Sequence, residues 1–142
     1  MIRLFLLVSL FSVSLLFAET GAELPFPPSP EESSLYVYAG EMTKVLDGDT
    51  VELDIDLGFY VWRRAVSIDL YGIETKRADT PEGKAAFAWL KETLADASEL
   101  WELRIRTMKP KDNGQWQAVL YVDGENVNQA LVDKGWATLV PQ

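Results

Sequence analysis

The 142-residue chain is 48% hydrophobic and 11% aromatic, enough for one core of ordinary size, and 13 basic against 22 acidic side chains give a net charge of −9. It has no histidine and no cysteine, which excludes histidine acid–base chemistry, serine–histidine and cysteine nucleophiles, thiolate zinc sites and disulfides. Any chemistry falls to carboxylates, arginine, lysine, tyrosine and hydroxyls, and a polyanion meets a repulsive field unless a local basic patch overcomes it.

Arg3 precedes an apolar run over residues 4–17 that is too short to span a bilayer comfortably. It predicts a signal peptide over residues 1–22. Cleavage after Ala22 leaves Thr20 three places before the cut, whereas cleavage after Ala18 would leave bulky Leu16 there. The protein is then exported, to the periplasm or outside the cell, with no stable membrane anchor after cleavage. That cut removes Arg3 and Glu19, so the net charge stays at −9. Pro25, Pro27, Pro28 and Pro30, followed by Glu31-Glu32-Ser33-Ser34, predict a stiff extended linker over residues 23–34. The folded domain occupies residues 35–142.

Within it, alternation predicts strands from Leu35 to Val45, Thr50 to Leu57 and Phe59 to Tyr71, with turns at Asp47-Gly48 and near Gly58. Thr80 or Asp79 caps a helix that starts at Pro81 and runs to about Ser98, with Ala86, Leu90, Thr93, Leu94 and Ala97 along one face. Segments from Trp101 to Arg106 and from Gln115 to Val122 flank a turn over Lys109 to Gly114 and complete five strands. A short second helix over residues 126–134 is stopped by Gly135. The order predicts a mainly β fold with α: a five-stranded OB-type barrel with two helices.

The segment Val45-Leu46-Asp47-Gly48-Asp49-Thr50-Val51-Glu52-Leu53 places two acidic side chains on a glycine turn between strands. Such a turn directs oxygens toward a hard cation, and it is equally an ordinary hairpin bend, the reading favoured by these nine residues alone. Two later segments shift the weighting: Leu70-Tyr71-Gly72-Ile73-Glu74-Thr75, and the stretch from Tyr121-Val122-Asp123-Gly124 through Asn128-Gln129-Ala130-Leu131-Val132 to Gly135. In order and spacing, from roughly Gly40 to Val140, the chain resembles the staphylococcal-nuclease-like (thermonuclease) family.

The resemblance implies a calcium site at Asp49, Glu74 and the carbonyl of Thr75, with Asp47 close by. Glu74 stands where the family usually has aspartate, so the cation would be displaced and weakly held. It also implies that three catalytic positions are replaced. Asp69 aligns with the first phosphate-clamping arginine, Gln115 with the second, and Arg77 with the glutamate that positions or deprotonates the attacking water. Asp69 is expected to repel a phosphate, and Arg77 to pair with Glu74 or Asp69. Arg104 and Arg106, with Lys109 and Lys111, form the visible basic cluster, and Trp116 beside the Gly114 turn offers an aromatic platform. Family members continue past Trp136 to Val140 into a third helix, whereas here the chain stops at Gln142. An apolar face is therefore expected to be covered by the Leu35-Tyr36-Val37-Tyr38 segment or by Leu24 to Pro30 with Phe26 as a plug, or failing these by a second copy or a partner protein.

The sequence therefore implies an exported nuclease-like OB domain that has lost catalysis and serves as a binding or structural module with a weak divalent-cation site. The alternative is an active calcium-dependent phosphodiesterase on DNA or RNA with a rearranged site. The acidic charge argues against nucleic acid as partner.

Overall fold

Strand β2 (Thr50–Asp56) buries every second residue, Val51, Leu53 and Ile55, and so forms one stave of a curved wall with its other face toward solvent. The computed structural model describes residues 36–141, so the expected leader (1–22) and proline-rich linker (23–34) lie outside the described residues. β1 (Val37–Val45) and β3 (Trp62–Leu70) pair antiparallel with β2 on either side. After the first helix, β5 (Leu103–Met108) pairs with β1, and β6 (Trp116–Val122) pairs with β5. A parallel pairing of β3 with β6, with Ile68 opposite Trp116 and Leu70 opposite Ala118, closes the sheet into a five-stranded barrel. The fold is the expected OB-type barrel with two helices.

Closure needs strongly bent strands, and bulges supply the bend. One lies in β1 between Met42 and Lys44, and one in β3, where Arg64 and Ala65 together face Asp54 of β2. In the second, Ala65 has a positive φ of 52° and donates its N–H to Asp54 Oδ1 at 2.8 Å, while Arg64 pairs with Asp54 Oδ2 at 2.6 Å. The Ala65 N–H, helped by Arg64, holds the Asp54 carboxyl below its ordinary range.

Helix α1 (Pro81–Glu99) starts as its sequence demands. Thr80 accepts the Gly83 N–H at 3.1 Å, Pro81 occupies the first turn, and Ala86, Leu90, Leu94 and Ala97 form the buried stripe. Ser98 Oγ accepts the Met42 N–H at 2.8 Å and so ties the end of α1 to the β1 bulge. After the two-residue β7 (Glu125–Asn126), α2 (Val127–Asp133) is capped by Asn126 and ends before Gly135, whose φ is 76°. The short strands β4 (Ile73–Thr75) and β8 (Ala137–Leu139) pair as a separate ribbon.

Asn128 is fully buried and joins α2 to the barrel. Its Oδ1 accepts the Leu120 N–H at 3.1 Å, and its Nδ2 donates to the carbonyls of Tyr71 at 2.9 Å and Ala118 at 3.2 Å.

Two boundaries differ from expectation. The third strand begins at Trp62 rather than Phe59, because Gly58, Phe59 and Tyr60 all have positive φ and form the tip of the hairpin. The fourth begins at Leu103 rather than Trp101, whose φ of 59° places it in the turn that leaves α1.

Candidate functional site

The β1–β2 turn holds its shape through Asp47, whose Oδ1 accepts the Asp49 N–H at 3.1 Å, and through the N–H groups of Leu46 and Asp47, both donated to the Thr50 carbonyl. Gly48 serves space rather than a special φ: a Cβ there would stand 2.7 Å from Thr75 Oγ1. That close approach brings β4 against the turn, and Asp49 Oδ2 accepts the Thr75 N–H at 2.7 Å. The Asp49 carbonyl accepts the Leu70 N–H at 2.8 Å, fixing the end of β3 beside the same turn.

These contacts shape a cleft of about 280 Å³ lined by Asp49, Thr50, Asp69, Glu74, Lys111 and Val140, among others. Asp49 and Glu74, expected together, do share it, and Thr75 borders it through its bond to Asp49. Asp47 does not line it; its carboxylate is spent on the turn. Partial burial pushes the Asp49 carboxyl above its ordinary range. The Thr75 N–H opposes that rise, and the nearby Asp47 carboxylate adds to it.

The positions aligned with the two phosphate clamps, Asp69 and Gln115, lie 46 residues apart in sequence and meet in space. Gln115 Nε2 is 3.3 Å from Asp69 Oδ1, and it also reaches the Ser67 carbonyl and hydroxyl. The parallel β3–β6 pairing causes this, since it places the start of β6 alongside the end of β3. Thr50 Oγ1 donates to the same Asp69 oxygen at 3.2 Å.

Asp69 does not stand as a free negative charge. Lys111 Nζ lies 2.7 Å from Asp69 Oδ2, with the Asp69 side chain only 23% exposed, so the expected repulsion of an anion is largely neutralised within the protein. The sequence presents Lys111 only as one member of a basic cluster. The β5–β6 turn aims it inward: its N–H and carbonyl bond Gln115 and Gly114, and Asn113 accepts the Gln115 N–H. A lysine five residues before the start of β6 carries no sequence signal of its own, because its partner is 42 residues away.

Arg77 is not in the cleft. It forks onto Asp79, with Nε to Oδ1 at 3.2 Å and an Nη to Oδ2 at 3.1 Å, instead of pairing with Glu74 or Asp69. Two-residue spacing makes this local pair the cheaper contact in chain entropy. Arg104, Arg106 and Trp116 also lie outside the lining. Arg104 donates to the carbonyls of Trp101 and Leu103, and half-buried Trp116 lies beneath the Arg63 guanidinium, 5.3 Å from the ring centre. The expected basic cluster is therefore divided: Lys111 faces the cleft, and Arg104 and Arg106 do not line it.

Calcium takes six to eight oxygens at full strength. Among the described residues no three acidic side chains gather closely enough to share one ion. Asp49 and Glu74 are the two carboxylates of the cleft that no lysine or arginine pairs with among the described residues. Neither the comparison with protein-family models nor that with curated proteins returns a match for this chain.

With divalent ions removed, Asp49→Asn is expected to raise the melting temperature at neutral pH by a few degrees. The folded carboxyl titrates above its unfolded value, so its cost to the folded state is absent below the unfolded value and appears as pH rises through the folded one. Asparagine keeps an oxygen for the Thr75 N–H without the charge. The gain over the parent should vanish well below the ordinary aspartate value of about 3.9, where the carboxyl is protonated in both states of the parent. A gain that persists unchanged at acid pH would contradict it; thermal melts across pH decide.

Proposed function

We propose that this chain is an exported OB-type barrel of the staphylococcal-nuclease-like kind that has lost phosphodiester hydrolysis and acts as a binding module. The observation that carries the reading is the Lys111–Asp69–Gln115 cluster at the clamp positions, with Lys111 at 2.7 Å and Gln115 at 3.3 Å from the Asp69 carboxylate. Hydrolysis needs fixed positive groups for the charge that grows on the phosphoryl oxygens, and each such donor removed typically raises the barrier by roughly 3 to 4 kcal/mol. Here one clamp position is acidic, the other is a neutral amide, and the cleft's lysine is already committed to Asp69. Nor does a carboxylate occupy the position of the water-activating group; Arg77 stands there and faces Asp79.

With half-buried Asp49 and exposed Glu74 both lining the cleft and paired with no cation among the described residues, the cleft suits a cationic or hydrogen-bonding ligand better than a phosphate. The overall charge of −9 supports the same preference. Calcium is one such ligand, and two carboxylates with water predict a dissociation constant on the order of 0.1 to 1 mM, as in weak extracellular sites. Titration calorimetry on the parent and on Asp49→Asn tests this: calcium heats are expected from the parent and not from the variant. Equal heats from both would remove the cation from the reading.

A further inference from the structure

A second cavity lies at the barrel end where β1 begins. It holds about 140 Å³ and is walled mainly by apolar and aromatic groups: Tyr38, Ile55, Leu57, Val66, Ile68 and Trp116. The strand ends agree on its position. Tyr38 is near the start of β1, Leu57 just past the end of β2, Arg63 at the start of β3, and Trp116 at the start of β6. Nothing in the Asp49–Asp69 cleft depends on it, and the two share no lining residue.

We propose that this mouth is a binding site for a proline-rich segment, and that its occupant is the chain's own stretch from Pro25 to Pro30, with Phe26 seated in the cavity. Topology brings the segment there. β1 starts at the mouth, Tyr36 accepts the N–H of the wall residue Thr107 at 3.0 Å, and whatever precedes Tyr36 must leave from this rim. Five residues, 31–35, separate Pro30 from Tyr36 and span up to about 17 Å when extended, which exceeds the two-residue step from Tyr36 to Tyr38 along the strand.

Chemistry selects the same occupant. Proline restricts φ whatever the surroundings, so docking a run with prolines at 25, 27, 28 and 30 on an aromatic-lined groove costs less entropy than docking an unrestricted chain. Trp116 and Tyr38 supply the aromatic wall. Arg63 lies over the Trp116 ring and, among the described residues, has no carboxylate partner in an ion pair. Glu31 and Glu32 follow Pro30 directly and bring two negative charges to that side of the mouth. The proline-rich segment is thus assigned to the open barrel end.

The test uses the full chain, exported and processed, with the photo-reactive residue p-benzoylphenylalanine at position 26. The proposal predicts cross-links within one chain to Tyr38, Leu57 or Trp116, identified by peptide mass spectrometry. Cross-links to a second chain, to α1 or α2, or to no residue of the mouth would overturn it. A second measurement keeps the parent fold: in protein labelled with 5-fluorotryptophan, Phe26→Ala should shift the Trp116 fluorine resonance, assigned with Trp116→Phe. The resonances of Trp89 and Trp136, whose rings pack together 6.2 Å apart away from the mouth, should stay in place. An unmoved Trp116 resonance would likewise overturn the proposal.

Discussion

Asn128→Ala is expected to destabilise the domain by about 3 kcal/mol, because a buried donor or acceptor left without its partner costs roughly 1 to 3 kcal/mol and this change affects several. The Leu120 N–H loses its acceptor at 3.1 Å and the Tyr71 carbonyl loses its donor at 2.9 Å. The Ala118 carbonyl keeps the Tyr71 N–H at 2.8 Å and suffers least. Alanine also leaves a void at a fully buried site where α2 meets β6. Urea unfolding followed by circular dichroism measures the loss; a midpoint shift worth less than about 1 kcal/mol would mean that water replaces the amide, at the typical net value of a single hydrogen bond.

Gly83→Ala is expected to act against helix propensity. Alanine is favoured over glycine in a helix by about 1 kcal/mol, yet here the variant should lose about 2 to 3 kcal/mol through overpacking. A Cβ at position 83 would stand 2.1 Å from the Arg77 carbonyl oxygen and 2.7 Å from that of Lys76. Both are backbone atoms, so relief requires moving the loop that leads into α1. That loop is fixed: the Arg77 carbonyl accepts the Thr80 hydroxyl at 2.7 Å and the Thr80 N–H at 2.9 Å. Thermal denaturation of parent and variant decides the sign, and a stabilised variant would show that the loop yields freely.

Features set by local rules were legible in the residues. Alternation located β2, and Thr80, Pro81 and Gly135 marked where helices begin and end, because capping and turn chemistry act within a few residues. The β2–β3 turn falls near Gly58 as expected, but β3 starts at Trp62, three residues after the expected Phe59. Aromatic, β-branched residues such as Phe59, Tyr60 and Val61 favour strand, and the positive φ values at 59 and 60 override that preference in the turn. Asp49, Glu74, Asp69 and Gln115 were identifiable as a group through the resemblance, and the barrel closure does bring Asp69 to Gln115 and Asp49 to Glu74. What could not be read were the partners. Lys111 meets Asp69 only because a turn and a parallel strand pair place it there, and Arg77, held outside the cleft, pairs with Asp79 rather than with a cleft carboxylate. Residue identities give the charges of a site, whereas their neutralisation depends on tertiary geometry.

The pairing of Lys111 with Asp69 points to one decisive measurement: incubation of the protein from Glu23 onward with single- and double-stranded DNA and RNA, with calcium and with a chelator. The account predicts no hydrolysis above the buffer control in either condition. Loss of two phosphate clamps costs roughly 3 to 4 kcal/mol each, and loss of the water-activating base a further factor of about a hundred to ten thousand. Calcium-dependent cleavage that disappears in Asp49→Ala would contradict it, and would mean that Lys111 leaves Asp69 to serve a rearranged active site.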